Sequence, residues 1–218
     1  EIQRISRDFK SLSTRETAGL VESEIHLFSL CESEMLTYLI TKNNFDPNVL
    51  EWDQEGRIDY YFRQYPADLK MNLAAAKFWV KFWVKKFEEN PVMHASIVFS
   101  GSSTYQKALI EVVKQTQCRN FVIEGTLSGH RFYFEEKYDR IANNSDIKFN
   151  NVYRKCLDSF SNINIRREHV KAVNIYRNLN NKNVIQPPSE GKVCFYNEYN
   201  TALILCQVLN DYSLVEEM

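Results

Sequence analysis

Residues 93–125 read MHASIVFSGSSTYQKALIEVVKQTQCRNFVIEG. Met93 to Phe99 is a short apolar, β-branched run, which predicts a strand. It stops at Ser100-Gly101-Ser102-Ser103-Thr104, a turn of small, hydroxyl-rich residues. Ala108, Leu109, Val112 and Val113 then recur at helical spacing. Phe121 to Ile123 is a second strand, and it ends at Glu124-Gly125. Strand, loop, helix and strand within about thirty residues make a βαβ unit, and therefore a parallel sheet.

Downstream, Arg131–Glu136 (RFYFEE) reads as an outer strand or ribbon, and helices are predicted around Asn151–Phe160 and Arg166–Asn181. Pro187-Pro188-Ser189-Glu190-Gly191 reads as a linker. Ala202 to Leu205 reads as a last buried strand, and Ser213 with Glu216 as the cap of a following helix. Upstream, Ser13-Thr14-Arg15-Glu16 has the form of a capping box. Leu20, Val21, Ile25, Phe28, Leu36, Leu39 and Ile40 continue from it at helical spacing to a stop at Asn43-Asn44. That pattern predicts one long helix, with Glu22, Glu24, Glu32 and Glu34 as its solvated face. Asp68–Glu89 predicts another, with Phe78, Trp79, Phe82, Trp83 and Phe87 as its apolar stripe. Its Lys77, Lys81 and Lys85 fall on a different face, open either to water or to a membrane surface.

Composition narrows the classes. The chain has 218 residues, 44% hydrophobic and 13% aromatic, enough to bury a sizeable core and to exclude disorder. Twenty-seven basic residues against 28 acidic ones leave a formal charge of −1, so no global field steers the chain to nucleic acid. The aromatic and Arg-rich stretch 52–65 can stack sugars or bases, or serve as packing in a loop and short helix. Apolar runs broken by lysine predict no transmembrane helix. The five cysteines are widely spaced, lack a C-x-x-C pair and sit beside apolar residues, as buried reduced thiols of a cytosolic protein do. The four histidines are scattered, and no metal site or cofactor is expected.

In an open parallel sheet, ligands bind off the carboxyl ends of the strands. Three loops belong there: Gly101–Thr104, Glu124–Gly129 and Gln207–Ser213. The first opens a helix, and its N–H groups could hold a phosphate or carboxylate. It contains no Walker A pattern, which excludes a P-loop NTPase, and no G-x-G-x-x-G. Glu124, at the end of a buried strand and followed by Gly125, is costly to place unless it faces a polar crevice. It could act there as a general base or hold a sugar hydroxyl, or it could bind backbone N–H groups of the next loop. Asp211 and Ser213 read as N-cap residues that also face a cleft.

These residues carry a resemblance. F-S-G-S-S-T-Y-Q-K-A, then R-N-F-V-I-E-G-T-L-S-G-H-R-F-Y-F-E-E-K-Y-D-R-I-A-N-N-S-D-I, resembles the bacterial capsule polysaccharide biosynthesis and export family. The matching features are Glu124-Gly125, the ribbon Phe132–Phe134 and Asn143-Asn144-Ser145. A-L-I-L-C-Q-V-L-N-D-Y-S-L-V is similar to the family's strand leading into a Gln-Val-x-x-Asp motif, and it places Gln207, Asp211 and Ser213. The resemblance covers roughly the last 120 residues. It implies a GT-B-type half, a Rossmann-like parallel sheet with flanking helices, preceded by a helical N-terminal region.

The domains expected on that basis are a helical region over 1–90, a Rossmann-like α/β domain over 91–185, and a linker with the opening of a second such domain over 186–218. The family's His-Pro motif finds no counterpart, so the chain is expected to be part of a longer enzyme. The implied activity is glycosyl transfer from a nucleotide sugar, CMP-Kdo in the family, to a lipid-linked or glycan acceptor. Glu124 would be catalytic, with Gly101, Ser102, Ser103, Thr104, Gly125, Gln207, Asp211 and Ser213 binding substrate. The expected location is cytoplasmic, at the periphery of the inner membrane through Lys77, Lys81 and Lys85. A non-catalytic binding or scaffold domain of the capsule assembly and export machinery is the other class that accounts for the sequence.

Overall fold

The computed structural model describes residues 1–42, 45–125, 132–141, 144–159 and 164–177. Two short helices, α1 (Ile2–Asp8) and α2 (Thr14–Ala18), come first. The capping box is formed: Ser13 N–H donates to Glu16 Oε2 at 2.8 Å, and Glu16 N–H donates to Ser13 Oγ at 3.3 Å. The long helix expected behind it is not formed. The helix stops at Gly19, and β1 (Val21–Glu22) folds back antiparallel on β2 (Ile25–His26). Ser23 and Glu24 make the turn with φ of +49° and +64°. Such backbone normally calls for Gly or Asn, so tertiary contacts must hold it. Gln115 Nε2 donates to Ser23 O at 2.8 Å, and Glu22 pairs with Lys77 at 3.6 Å. Only then does α3 (Leu27–Leu39) begin; the helix stop expected at Asn43-Asn44 lies outside the described residues.

A 3₁₀ turn over Pro47–Glu51 leads to α4 (Gln54–Gln64) and α5 (Pro66–Glu89). The aromatics of 52–65 pack on one another: Tyr60 meets Phe45, Trp52, Tyr61 and Tyr65 edge-on, with ring centroids 5.8–6.3 Å apart. Next come β3 (Ala95–Phe99), α6 (Thr104–Lys114) and β4 (Arg119–Gly125), the expected βαβ unit. Strands β3 and β4 are parallel, with Ala95 beside Arg119 and Phe99 beside Ile123. β5 (Phe132–Glu136) returns antiparallel, with Phe121 beside Glu136 and Gly125 beside Phe132. The fold is therefore α/β, with helices and a small mixed sheet in the order β3-β4-β5. A 3₁₀ turn over Asp146–Lys148, α7 (Asn150–Asp158) and α8 (Ile165–Arg177) follow. The linker and strand expected in 187–205 lie outside the described residues.

Helix α6 is the centre of the molecule. Its Ala108 and Val112 belong to the core built by α1, α3, α4 and α5, where Leu27, Met35, Leu39, Leu69, Leu73 and Val80 are fully buried. Its Ile110 belongs to a second core, with Val98 of β3, Val122 of β4 and Ile141. The helices before residue 90 and the βαβ unit thus share α6. Polar contacts reinforce the junction: Trp83 Nε1 donates to Tyr105 O at 2.9 Å, and Lys107 Nζ donates to Ser33 Oγ at 2.5 Å. Cys31 and Cys118 are buried thiols as expected, but Cys156 is exposed because no residue of α7 is buried. Burial pushes the Cys31 thiol and the Tyr61 hydroxyl well above their ordinary pKa values.

Among the described residues, one face of the sheet is covered and the other is not. Ser96, Val98, Asn120 and Val122 face α6, and the chain after β5 crosses that side to plant Ile141 in the core. Buried Asn120 ties the crossing down, accepting from Ser96 Oγ at 2.5 Å and donating to Lys137 O at 2.6 Å. Lys137 Nζ reaches Asn144 O and Asp146, while Glu135 accepts from Ser145 Oγ and from the Asp146 N–H. Asn144 and Ser145, read from sequence as part of a family motif, are thus partners in this crossing. On the opposite face Ile97, Phe99, Phe132 and Phe134 stand 50–69% exposed.

Candidate functional site

The carboxyl ends of β3 and β4 lie together, as the parallel register requires. The Ser100 N–H donates to Ile123 O at 2.8 Å, which sets Ser100 alongside Glu124, and Glu124 in turn pairs with Tyr133 of β5. Ser100 is strained: its φ is +62°, and the Gly101 N–H closes onto Phe99 O at 2.7 Å around it. That is the rare γ-turn form. Backbone strain of this kind costs roughly 1–3 kcal/mol and concentrates at functional sites. Glu124 is half-buried on the α6 side of the sheet, by alternation with Asn120 and Val122. Its Oε1 accepts from the Gly125 N–H at 3.1 Å. A Cβ at Gly125 would meet nothing within 4 Å, on the opposite face of the sheet, beside Phe132. Burial, with the Glu124 and Glu135 carboxylates added, pushes the Tyr133 hydroxyl above its ordinary pKa and keeps it a hydrogen-bond donor.

The Gly101–Thr104 loop is not an open cradle for an anion. Ser102 and Thr104 are buried. The Ser103 N–H is taken by Gln106 Oε1 at 2.9 Å. The Thr104 N–H and hydroxyl both donate to Glu34 Oε2, at 2.9 and 2.6 Å. Glu34 therefore sits where a phosphate would sit, satisfying the helix N-terminus from inside the protein. Sequence reasoning put Glu34 on a solvated face, and nothing local could have corrected it, since its partner lies 70 residues away. Two other acidic residues of that stretch are also engaged: Glu32 binds Arg57, and Glu22 pairs with Lys77 and with Lys81 at 4.0 Å. Lys85 pairs with Glu89 at 3.7 Å.

Gly101 has a specific reason to be glycine. Its φ is +89°, and a Cβ there would come 3.0 Å from Arg140 Cα and 3.2 Å from Ile110 Cδ1. Gly101→Ala is expected to cost about 1–3 kcal/mol, or roughly 2–12 °C in Tm for a chain of this size. Thermal unfolding followed by circular dichroism checks this, and an unchanged Tm would show that the Arg140 approach is not rigid. Gln207, Asp211 and Ser213 lie outside the described residues, as do residues 126–131.

No group of acidic, His and Cys side chains suited to a metal ion occurs among the described residues, and no helix there is long and apolar enough to cross a membrane. Comparison with protein-family models, with curated proteins and with solved structures finds no match for this chain.

Proposed function

We propose that the chain supplies the acceptor-side part of a glycosyltransferase of bacterial capsule or surface polysaccharide assembly. It would move a sugar from a nucleotide-activated donor, CMP-Kdo by resemblance, to a lipid-linked or glycan acceptor. The observation that carries this reading is Glu124, a half-buried carboxylate at the carboxyl end of a parallel strand pair, whose Oε1 accepts from the adjacent Gly125 N–H. In this role Glu124 takes the proton of the acceptor hydroxyl as its oxygen bonds to the anomeric carbon, and the nucleotide leaves with the bonding electrons. The finer architecture would be one of two Rossmann-like domains in a GT-B arrangement, closed from the hinge side by Gln207, Asp211 and Ser213. Of the three lysines, Lys77 is largely covered against Glu22, and the exposed Lys81 and Lys85 would bring the protein to the cytoplasmic surface of the inner membrane.

A second reading has its own observation. The uncovered apolar face of the sheet suits a binding or scaffold domain that recruits other components of capsule assembly and export. One experiment separates the two. The longer enzyme, with this chain joined to its donor-binding half, is incubated with labelled CMP-Kdo, UDP-hexoses and GDP-hexoses and a lipid-linked acceptor, and labelled product is measured. Product with one donor supports transfer. No product from any donor, with the chain shown to be folded, overturns it in favour of the scaffold.

A further inference from the structure

Helix α7 is two-sided, yet none of its residues is buried. The helical period sets Val152, Tyr153, Cys156 and Leu157 on one half, and Asn150, Asn151, Arg154, Lys155 and Asp158 on the other. Ahead of it Ile147 and Phe149 are uncovered too; they and Tyr153 are 47–53% exposed. We infer that α7, with the exposed basic helix α8 behind it, docks the protein on an anionic lipid surface. The inference does not rest on sugar transfer, and it names a contact separate from the lysines of α5.

The root of α7 is fixed to the fold. Lys137 Nζ donates to Asp146 Oδ1 at 2.6 Å, and the Asp146 N–H donates to Glu135 Oε2 at 3.0 Å. The sheet thus holds the start of the helix in place while the apolar half is left bare among the described residues.

Charge favours one occupant. Over residues 147–175, Lys148, Arg154, Lys155, Arg166, Arg167 and Lys171 stand against only Asp158 and Glu168, in a chain whose formal net charge is −1. Glu168 takes both ion pairs of α8, from Arg167 at 3.3 Å and from Lys171 at 2.7 Å. Arg154, Lys155 and Arg166 form no ion pair among the described residues. A nucleic acid would take these charges but give Ile147, Phe149 and Tyr153 no apolar partner. A protein partner needs more surface. The apolar half of α7, about 14 Å long, offers on the order of a few hundred Å², short of the ~800 Å² that a specific interface covers on each side. A bilayer sets no such minimum. It accepts a short helix side-on, apolar half inward, with Arg and Lys among the anionic headgroups. Ile165 and Val170, exposed on α8, extend the same chemistry.

The test is flotation of the full chain with vesicles of phosphatidylcholine alone, and of phosphatidylcholine and phosphatidylglycerol in equal parts. The chain should float with the mixed vesicles, bind them less in high salt, and ignore the neutral ones. Arg154→Ala with Lys155→Ala should weaken binding about tenfold or more, and Phe149→Ser about fivefold. All three positions are exposed, so Tm should not move. Lys81→Ala with Lys85→Ala should still float, which separates this contact from that of α5. No flotation of the folded chain, equal flotation with neutral vesicles, or complete loss in the α5 variant would overturn the inference. So would flotation unchanged by the substitutions at 149, 154 and 155. Release by the charge substitutions alone, with Phe149→Ser floating as the wild type does, would also overturn it, since the partner would then be a polyanion without an apolar interior.

Discussion

Glutamine in place of Glu124 is expected to lower sugar transfer by about 10²–10⁴-fold, the usual worth of a general base, while Tm stays within about a degree. The side chain makes this a clean substitution. Its Oε1 accepts one bond, from the Gly125 N–H, and a glutamine carbonyl keeps that bond. Glutamine also keeps the volume on the α6 side of the sheet, so neither core is disturbed. What is lost is the ability to take a proton. Glu124→Asp should restore part of the rate, since the carboxylate returns about one bond length short. Steady-state transfer from the preferred donor, with circular dichroism alongside, provides the check. Transfer within a few-fold of wild type in Glu124→Gln would remove this residue from the chemistry and leave only its contact with Gly125.

The second large effect is on stability. Leu73→Ala, at a fully buried position of α5, is expected to cost about 2–5 kcal/mol. At 2–4 °C per kcal/mol for a chain of this length, Tm should fall by roughly 4–20 °C. The informative feature is the shape of the transition. Because α6 belongs to both cores, loosening the helical core should also loosen the sheet. Near-ultraviolet signal from the tryptophans of α5 and amide exchange in β4 should therefore collapse together. Loss of the tryptophan signal with β4 still protected would mean that the sheet and the helices fold as separate units.

Reading the βαβ unit from sequence alone succeeded because residues 93–125 contain all that the unit needs. Two short β-branched runs, a hydroxyl-rich turn and an amphipathic helix between them leave few other packings. The stretch 13–43 misled because its apolar residues fit helical spacing throughout. The break comes at Gly19 and at a turn whose two residues, Ser23 and Glu24, carry none of the usual hairpin signals. That turn is held by Gln115 and Lys77, and no local pattern announces such distant partners. The site divides the same way. Glu124 was legible as a carboxylate ending a buried strand. Ser100, Tyr133 and Glu34 were not, since their roles arise from strand register and from a contact across the fold.

The position of α6 also bears on how the molecule assembles. The helices before residue 90, including α5 on which both α1 and α3 pack, are synthesised ahead of the sheet. The first pairing of the sheet, Ala95 with Arg119, must instead close across the whole of α6. A growing chain therefore completes its helices while the surface meant for Ala108 and Val112 is still bare. Until α6 docks, that surface has no cover and the two parallel strands have no template. The docking of one helix is the step at which the chain passes from a sticky bundle to a protected fold.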